Sequence, residues 1–200
     1  MSDTIESAGS RWLRPSRRTT WIAAVVVLVA LLALLPFGLR WWTRPHLLPD
    51  HAPDAHYSPQ PYDEAATAFS VLPLQARGRA TTFTWHGARA RFATNAARAT
   101  VAFSVCDTPA TPPQLTSSYA VTSLVQVCSD QRPLTSGARL TYPDPHRLVL
   151  MTLTPTRPGL VHVTGVDIRY SLGADRLFQH GTDHVTLDVR LPTTDSTTSP

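Results

Sequence analysis

From Trp21 to Leu39 the chain reads WIAAVVVLVALLALLPFGL, nineteen residues without a charge. A helix rising about 1.5 Å per residue would carry such a run roughly 28 Å, close to the ~30 Å hydrocarbon core of a bilayer. This predicts a transmembrane helix over 21–42, in contact with the lipid bilayer through Trp21–Leu39. Trp12 and Trp21 before the run, and Trp41 and Trp42 after it, suit the two membrane interfaces. Pro36 and Gly38 are placed where a helix can end.

Beyond the helix the pattern changes to a period of two. Thr81–Trp85 and Ala88–Phe92 flank His86-Gly87, a two-residue hairpin signal, with Phe83, Trp85, Ala88, Ala90 and Phe92 on the core face. Ala99 to Cys106 alternates with Val101, Phe103 and Val105 inward. Tyr119 to Cys128 offers Val121, Val125 and Val127 to one face. Leu148–Leu153 is almost wholly apolar, as a central strand is. His184–Leu191 sets Val185, Leu187, Val189 and Leu191 against His184, Thr186, Asp188 and Arg190. Asp63–Val71 fits a short helical turn or a first strand.

One break in phase stands out. Val161 and Val163 are followed by Val166, Ile168 and Tyr170, so the register flips across Thr164-Gly165. A one-residue slip exchanges the two faces, which predicts a β-bulge or a bend there, at which the strand could pass between sheets. With no sustained 3.6-residue period after the helix, the expected fold is all-β: an immunoglobulin-like β-sandwich of seven to nine strands after one N-terminal transmembrane helix.

Composition divides the chain further. Pro45, Pro49, Pro53, Pro59 and Pro61 crowd residues 43–62 and predict a polyproline-like stalk. Residues 63–191 hold the sandwich, and 192–200 (PTTDSTTSP) read as a disordered tail. Residues 1–20 form a basic tail. Every one of the 18 basic residues is Arg, a bias of GC-rich bacterial genomes. Arg11, Arg14, Arg17 and Arg18 precede the span while Arg40 and Arg44 follow it, which predicts a cytoplasmic N-terminus and an exported C-terminal domain in the cell membrane. The net charge of +4 lies wholly in residues 1–44; the rest is balanced and gives no reason to expect nucleic acid as a partner. A cleaved signal peptide is the rival reading, but the run is long and Pro36–Trp42 offers no small-residue cleavage site. Ser16-Arg17-Arg18 resembles a twin-arginine signal only in part, since Thr20 and Trp21 stand where Phe and Leu belong.

Cys106 and Cys128, both exported on this topology, predict one disulfide. A metal pair is the alternative, yet neither lies in a C-x-x-C and no His adjoins them. Their parity places the bridge at a strand end or on an outer face.

The segment PGLVHVTGVDIRY (158–170), followed by GTDHV (181–185), resembles the last two strands of small single-pass membrane-anchored proteins of GC-rich Gram-positive bacteria. The resemblance covers about thirty residues and implies a topology, an exported Ig-like domain, and no activity.

Signatures of hydrolases, P-loops, dinucleotide sites and C-x-x-C redox sites are missing from the sequence, so no catalytic residue and no cofactor is assigned. His46, His51 and His56 recur beside Asp50 and Asp54 in the stalk, where solvated linker residues are the plainer reading. His180, Asp183 and His184 surround a glycine turn near Asp175 and are weak candidates for a metal or proton-sensing site, against an ordinary outward turn. Arg89, Arg91 and Arg98 could form a small anion-binding face. The function expected is that of a non-catalytic interaction or scaffold domain of the cell envelope, partnered by an envelope protein or a cell-wall polymer. The alternative is a ligand- or metal-binding sensory domain acting with a membrane partner.

Overall fold

The computed structural model describes residues 17–43, 46–52, 54–62, 66–72, 79–109, 118–120 and 124–195. The chain divides into two compact units, Met1–Trp41 and Trp42–Pro200. The first carries most of α1 (Arg17–Thr43), in which the stretch Trp21–Thr43 is long and apolar enough to cross a membrane. Pro36 does not end it; the helix continues to Thr43.

The second unit is all-β, in two sheets. Its strands are β1 (Ala55–His56), β2 (Gln60–Pro61), β3 (Thr67–Ser70), β4 (Thr81–Asn95), β5 (Thr100–Asp107), β6 (Ser118–Ala120), β7 (Asp130–Pro133), β8 (Arg139–Tyr142), β9 (Arg147–Thr154), β10 (Gly159–Leu172) and β11 (His180–Thr194). One sheet has six strands in the order β1-β11-β10-β4-β8, with β2 also on β11; the other has five, β6-β3-β9-β5-β7. The inward residues of both meet in one core, where Trp85 of β4 packs against Phe103 of β5 with ring centroids 6.0 Å apart. Asp63–Val71 resolves as the first strand of the five-stranded sheet, β3, with residues 63–65 outside the described residues.

Strand β9 is central in its sheet and buried on both faces, which explains its continuous apolar run. Val149, Met151 and Leu153 face the main core, while Leu148 and Leu150 join Ala68 and Cys106 on the outer side. That outer side is covered by a helical turn, α2 (Leu124–Val127), where an alternating strand is expected from the sequence. Leu124 and Val127, one turn apart, are buried, and Val125 between them is 85% exposed. Val121 lies outside the described residues. The disulfide Cys106–Cys128 is formed, its Cα atoms 5.3 Å apart, and pins the end of α2 to β5. Cys106 points away from Val105, so the bridge is on the outer face, as its parity implies.

Four further expectations change. His86-Gly87 is not a hairpin turn: β4 runs through it, with Trp85 opposite Tyr170 but Gly87 opposite Arg169. His86 is thus the extra residue of a bulge, and Gly87 takes the positive φ of 137° that a Cβ would disfavour. The bulge keeps Phe83, Trp85 and Ala90 on the core side across the break in alternation. At Gly165 the register shifts as the sequence phase requires, but β10 stays paired to β4 and β11 on both sides of the shift and does not change sheets.

The proline-rich segment 46–62 is no stalk. It lies along β11: His51 bridges Thr186 in parallel, Ala55 pairs with Val189, and Gln60 pairs with Thr193. Leu48, Ala52 and Ala55 are buried in the core cluster. Proline is tolerated because this strap is an edge, with one side of its backbone unpaired; small alanines let it lie close to β11. At the far end Pro192–Thr194 belong to β11, opposite Leu160 and Gly159, where a loose tail is expected; residues 196–200 lie outside the described residues.

Candidate functional site: the outer face of the six-stranded sheet

Alternation along β4, β10 and β11 sends their polar residues to the face opposite the core, and there the charges are organised in rows across the strands. In the first row Asp167 of β10 accepts from Arg91 Nε of β4 at 2.7 Å and meets His184 Nδ1 of β11 at 2.8 Å. Burial pushes the Asp167 carboxyl up, but the hydrogen bonds and charges of Arg91 and His184 outweigh it and hold the group below its ordinary value. In the second row Asp188 of β11 meets His162 Nε2 at 2.8 Å and Arg190 Nη2 at 3.2 Å, with His56 of the strap 3.8 Å away. Slight desolvation opposes these partners; His162 and Arg190 still hold Asp188 low. The Asp188 amide donates to Asp54 Oδ1 at 2.9 Å, and His51 Nε2 lies 3.5 Å from the same oxygen.

The bulge at Gly165 makes the first row possible. A Cβ built on Gly165 would collide with the His184 ring, at Cε1 and at 2.8 Å from Nε2. The ring therefore lies over the glycine backbone, and from there Nδ1 reaches Asp167. The glycine turn expected around Gly181 is instead the paired start of β11, so the phase break in β10 and His184 of the neighbouring strand are two parts of one arrangement.

These positions separate the weak metal candidates. Asp183 and His184 are consecutive strand residues and point to opposite faces; His180 is exposed. Asp183 is buried, accepting from Leu48 N at 3.3 Å and from the Tyr170 hydroxyl at 3.2 Å, while Tyr170 Oη accepts from Leu47 N at 3.0 Å. Burial raises Asp183 above the usual carboxylate range despite its hydrogen bonds, and raises Tyr170 likewise. This buried pair fastens the strap. Nothing is described of the Asp175 side chain, and His46, His51 and His56 are spread along the strap. Among the described residues no three His, Cys, Asp or Glu side chains are placed to hold a metal ion.

Nor do Arg89, Arg91 and Arg98 form one anion face. Arg91 is committed to Asp167, and Arg98 occupies a turn after β4 with φ 48°. His86 Nε2 and Ser171 Oγ meet at 2.8 Å on the same open face, with no carboxylate on the other ring nitrogen among the described residues, so the pair lacks the third group that orients a catalytic base. Asp167, His162 and Asp188 were not singled out from sequence. Their signal is present all the same: each is an outward residue on adjacent strands, and only the register tells which face which.

Fold and face together define a class: an all-β two-sheet domain after an N-terminal apolar helix, with one sheet face capped and the other, among the described residues, open and lined with paired charges. No protein-family model, curated protein or solved structure matches this chain.

Proposed function

We propose that this protein is a non-catalytic interaction domain of the bacterial cell envelope, anchored by α1 and displayed outside the cytoplasm as an immunoglobulin-like sandwich. The observation that carries this reading is the inequality of the two outer faces. The five-stranded sheet is covered by α2 and stapled by Cys106–Cys128, as a surface with only a structural task would be. Among the described residues nothing covers the outer face of the six-stranded sheet, and its charges are held in rows by β4, β10, β11 and the strap. A rigid polar face loses little conformational entropy on docking, which suits recognition. The arginine excess before the span supports a cytoplasmic N-terminus.

The test is affinity purification of the full chain from native membranes, with and without EDTA, compared with an Arg89→Glu/Arg169→Glu variant that reverses two outward charges. A partner that survives the chelator and is lost from the variant is expected. A partner lost with EDTA favours the sensory alternative, and a partner indifferent to both changes refutes the assignment of the face. A reporter enzyme active only after export, fused behind Pro200, should be active; mature protein starting near Trp41 would refute the anchor.

A further inference from the structure

At the β8 corner of the same open face the sheet ends in a groove of about 780 Å³. Its floor is strand: Thr82 and Thr84 of β4 and Ser171 of β10 line it, each an outward position of its strand. Its walls are arginine. Arg79 enters just before β4, Arg139 opens β8, and Arg176 descends from the loop between β10 and β11. All three are exposed, and none has an ion pair or side-chain hydrogen bond among the described residues. They differ in this from Arg91, Arg132, Arg147 and Arg190, each of which is neutralised by an aspartate.

The loop that supplies Arg176 is held in an unusual form. Leu177 and Phe178 have φ of 52° and 54°, a region that residues with a Cβ seldom occupy in succession. The form is fixed by the loop's own backbone, with Leu177 N donating to Ala174 O at 3.1 Å and Phe178 N to Gly173 O at 3.0 Å. The loop forms a rim to the groove, which Phe178 lines while remaining 64% exposed. Strained backbone that presents an apolar ring to solvent, beside cations with no ion pair among the described residues, has no role in the core and points to a ligand.

We propose that this groove binds a phosphate-bearing ligand, a phosphomonoester or phosphodiester, with Arg79, Arg139 and Arg176 on its oxygens. The inference rests on the reading of the open face as a recognition surface and names what one part of it recognises. A carboxylate offers two oxygens in one plane and a single charge, whereas a tetrahedral phosphate accepts donors converging from several directions and carries the charge to match three guanidiniums. The threonine and serine hydroxyls supply further donors to the same group. The groove is also too large for a bare ion; its volume is that of a small organic ligand, whose uncharged part would lie against Phe178. A lipid headgroup and a soluble phosphorylated glycan share this chemistry.

The experiment is equilibrium dialysis of the full chain, reconstituted in phosphatidylcholine nanodiscs, against radiolabelled glycerol 3-phosphate, with inorganic phosphate and acetate as competitors. Saturable binding is expected, displaced by phosphate at lower concentration than by acetate and weakened by salt. Each of Arg79→Gln, Arg139→Gln and Arg176→Gln should weaken it roughly tenfold, the loss of about one charge-assisted hydrogen bond. The triple variant should abolish it while Arg157→Gln leaves it unchanged. Arg176→Gln lies on an exposed loop, so its effect holds even if the triple variant folds poorly. Nanodiscs containing phosphatidylglycerol decide the source. A several-fold drop in apparent affinity for the soluble probe indicates a lipid headgroup, and no change indicates a soluble or polymeric phosphate. Absence of saturable binding, or binding equal in Arg176→Gln and the parent, overturns the assignment. If partner capture by the open face persists in that case, the interaction reading stands and only the groove's ligand is wrong.

Discussion

Replacing Gly165 by Ala tests how the charged rows of the open face are built. The new methyl would meet the His184 ring, 2.8 Å from Nε2, and the Val185 carbonyl oxygen at 3.1 Å. The ring can swing away, because the His184 side chain is 39% exposed, but doing so breaks its 2.8 Å hydrogen bond to Asp167. For a partly exposed pair that loss is about 0.5–1 kcal/mol. Crowding against Val185 O, which is backbone and gives only by small shifts, adds a few tenths, roughly offset by the reduced freedom of Ala in the unfolded chain. The net cost expected is about 1 kcal/mol, or roughly 2–4 °C in Tm for a domain of this size. His184→Ala alone should cost about the same. In the His184→Ala background there is no ring to displace, so Gly165→Ala should then cost close to nothing, leaving a coupling of about 1 kcal/mol. The assay is urea unfolding of the four proteins of the cycle, followed by the change in tryptophan fluorescence, to which Trp85 contributes because it is 1% exposed and loses its apolar surroundings on unfolding. If the two substitutions add, the His184 ring does not lie over Gly165, and the account of the bulge as its seat is wrong.

Further outcomes follow from the same contacts. Cys106 and Cys128 should resist thiol labelling without reductant, and Ser at both should cost roughly 2–4 kcal/mol in chemical unfolding, the entropy of a closed loop of this length; free thiols in the native protein would refute the staple. Asp183→Ala leaves Leu48 N–H and the Tyr170 hydroxyl without their buried acceptor, at roughly 2 kcal/mol. Amide exchange should then quicken in the strap at Leu48, Ala52 and Tyr57 before it does in β10, and equal protection in both would refute its fastening role. Asp107 is pushed up by partial burial but held low overall by Arg147 and Arg132, and Asp167 and Asp188 are held low as above, so the contribution of all three is full above the ordinary carboxylate range and is lost as pH falls through their depressed values. Asp183 is raised by burial and acts oppositely, favouring the fold below the ordinary value and losing that contribution as pH rises through its own. Stability measured against pH should therefore drop on acidification below about 4, and Asp167→Asn should flatten that drop; an unchanged acid limb in the variant would refute the linkage.

What the sequence determined alone is whatever depends on neighbours along the chain. Nineteen uncharged residues are long enough for a bilayer wherever they lie. Alternation in β5, β10 and β11 names the core face because side chains on a strand must alternate, and the double burial of β9 follows from a run that only Thr152 interrupts. The phase break at Gly165 and the parity of Cys106 are equally local, and both were legible. What only tertiary structure decided is which surfaces meet. The prolines of 46–62 rule out a helix and a central strand, but an edge strap and a free spacer obey the same local rules, and it is the exposed edge of β11 that selects the strap. His86-Gly87 satisfies a hairpin or a bulge equally well; pairing with the long β10 holds β4 straight through it. Leu124–Val127 became a helical turn because the outer face of β9 and β5 needed covering and the disulfide limited the chain's reach. Asp183 and His184, adjacent in sequence, serve opposite faces, while Arg91, Asp167 and His184, far apart in sequence, share one row. Local periodicity orients a side chain relative to its own strand, and only strand pairing decides what lies beside it.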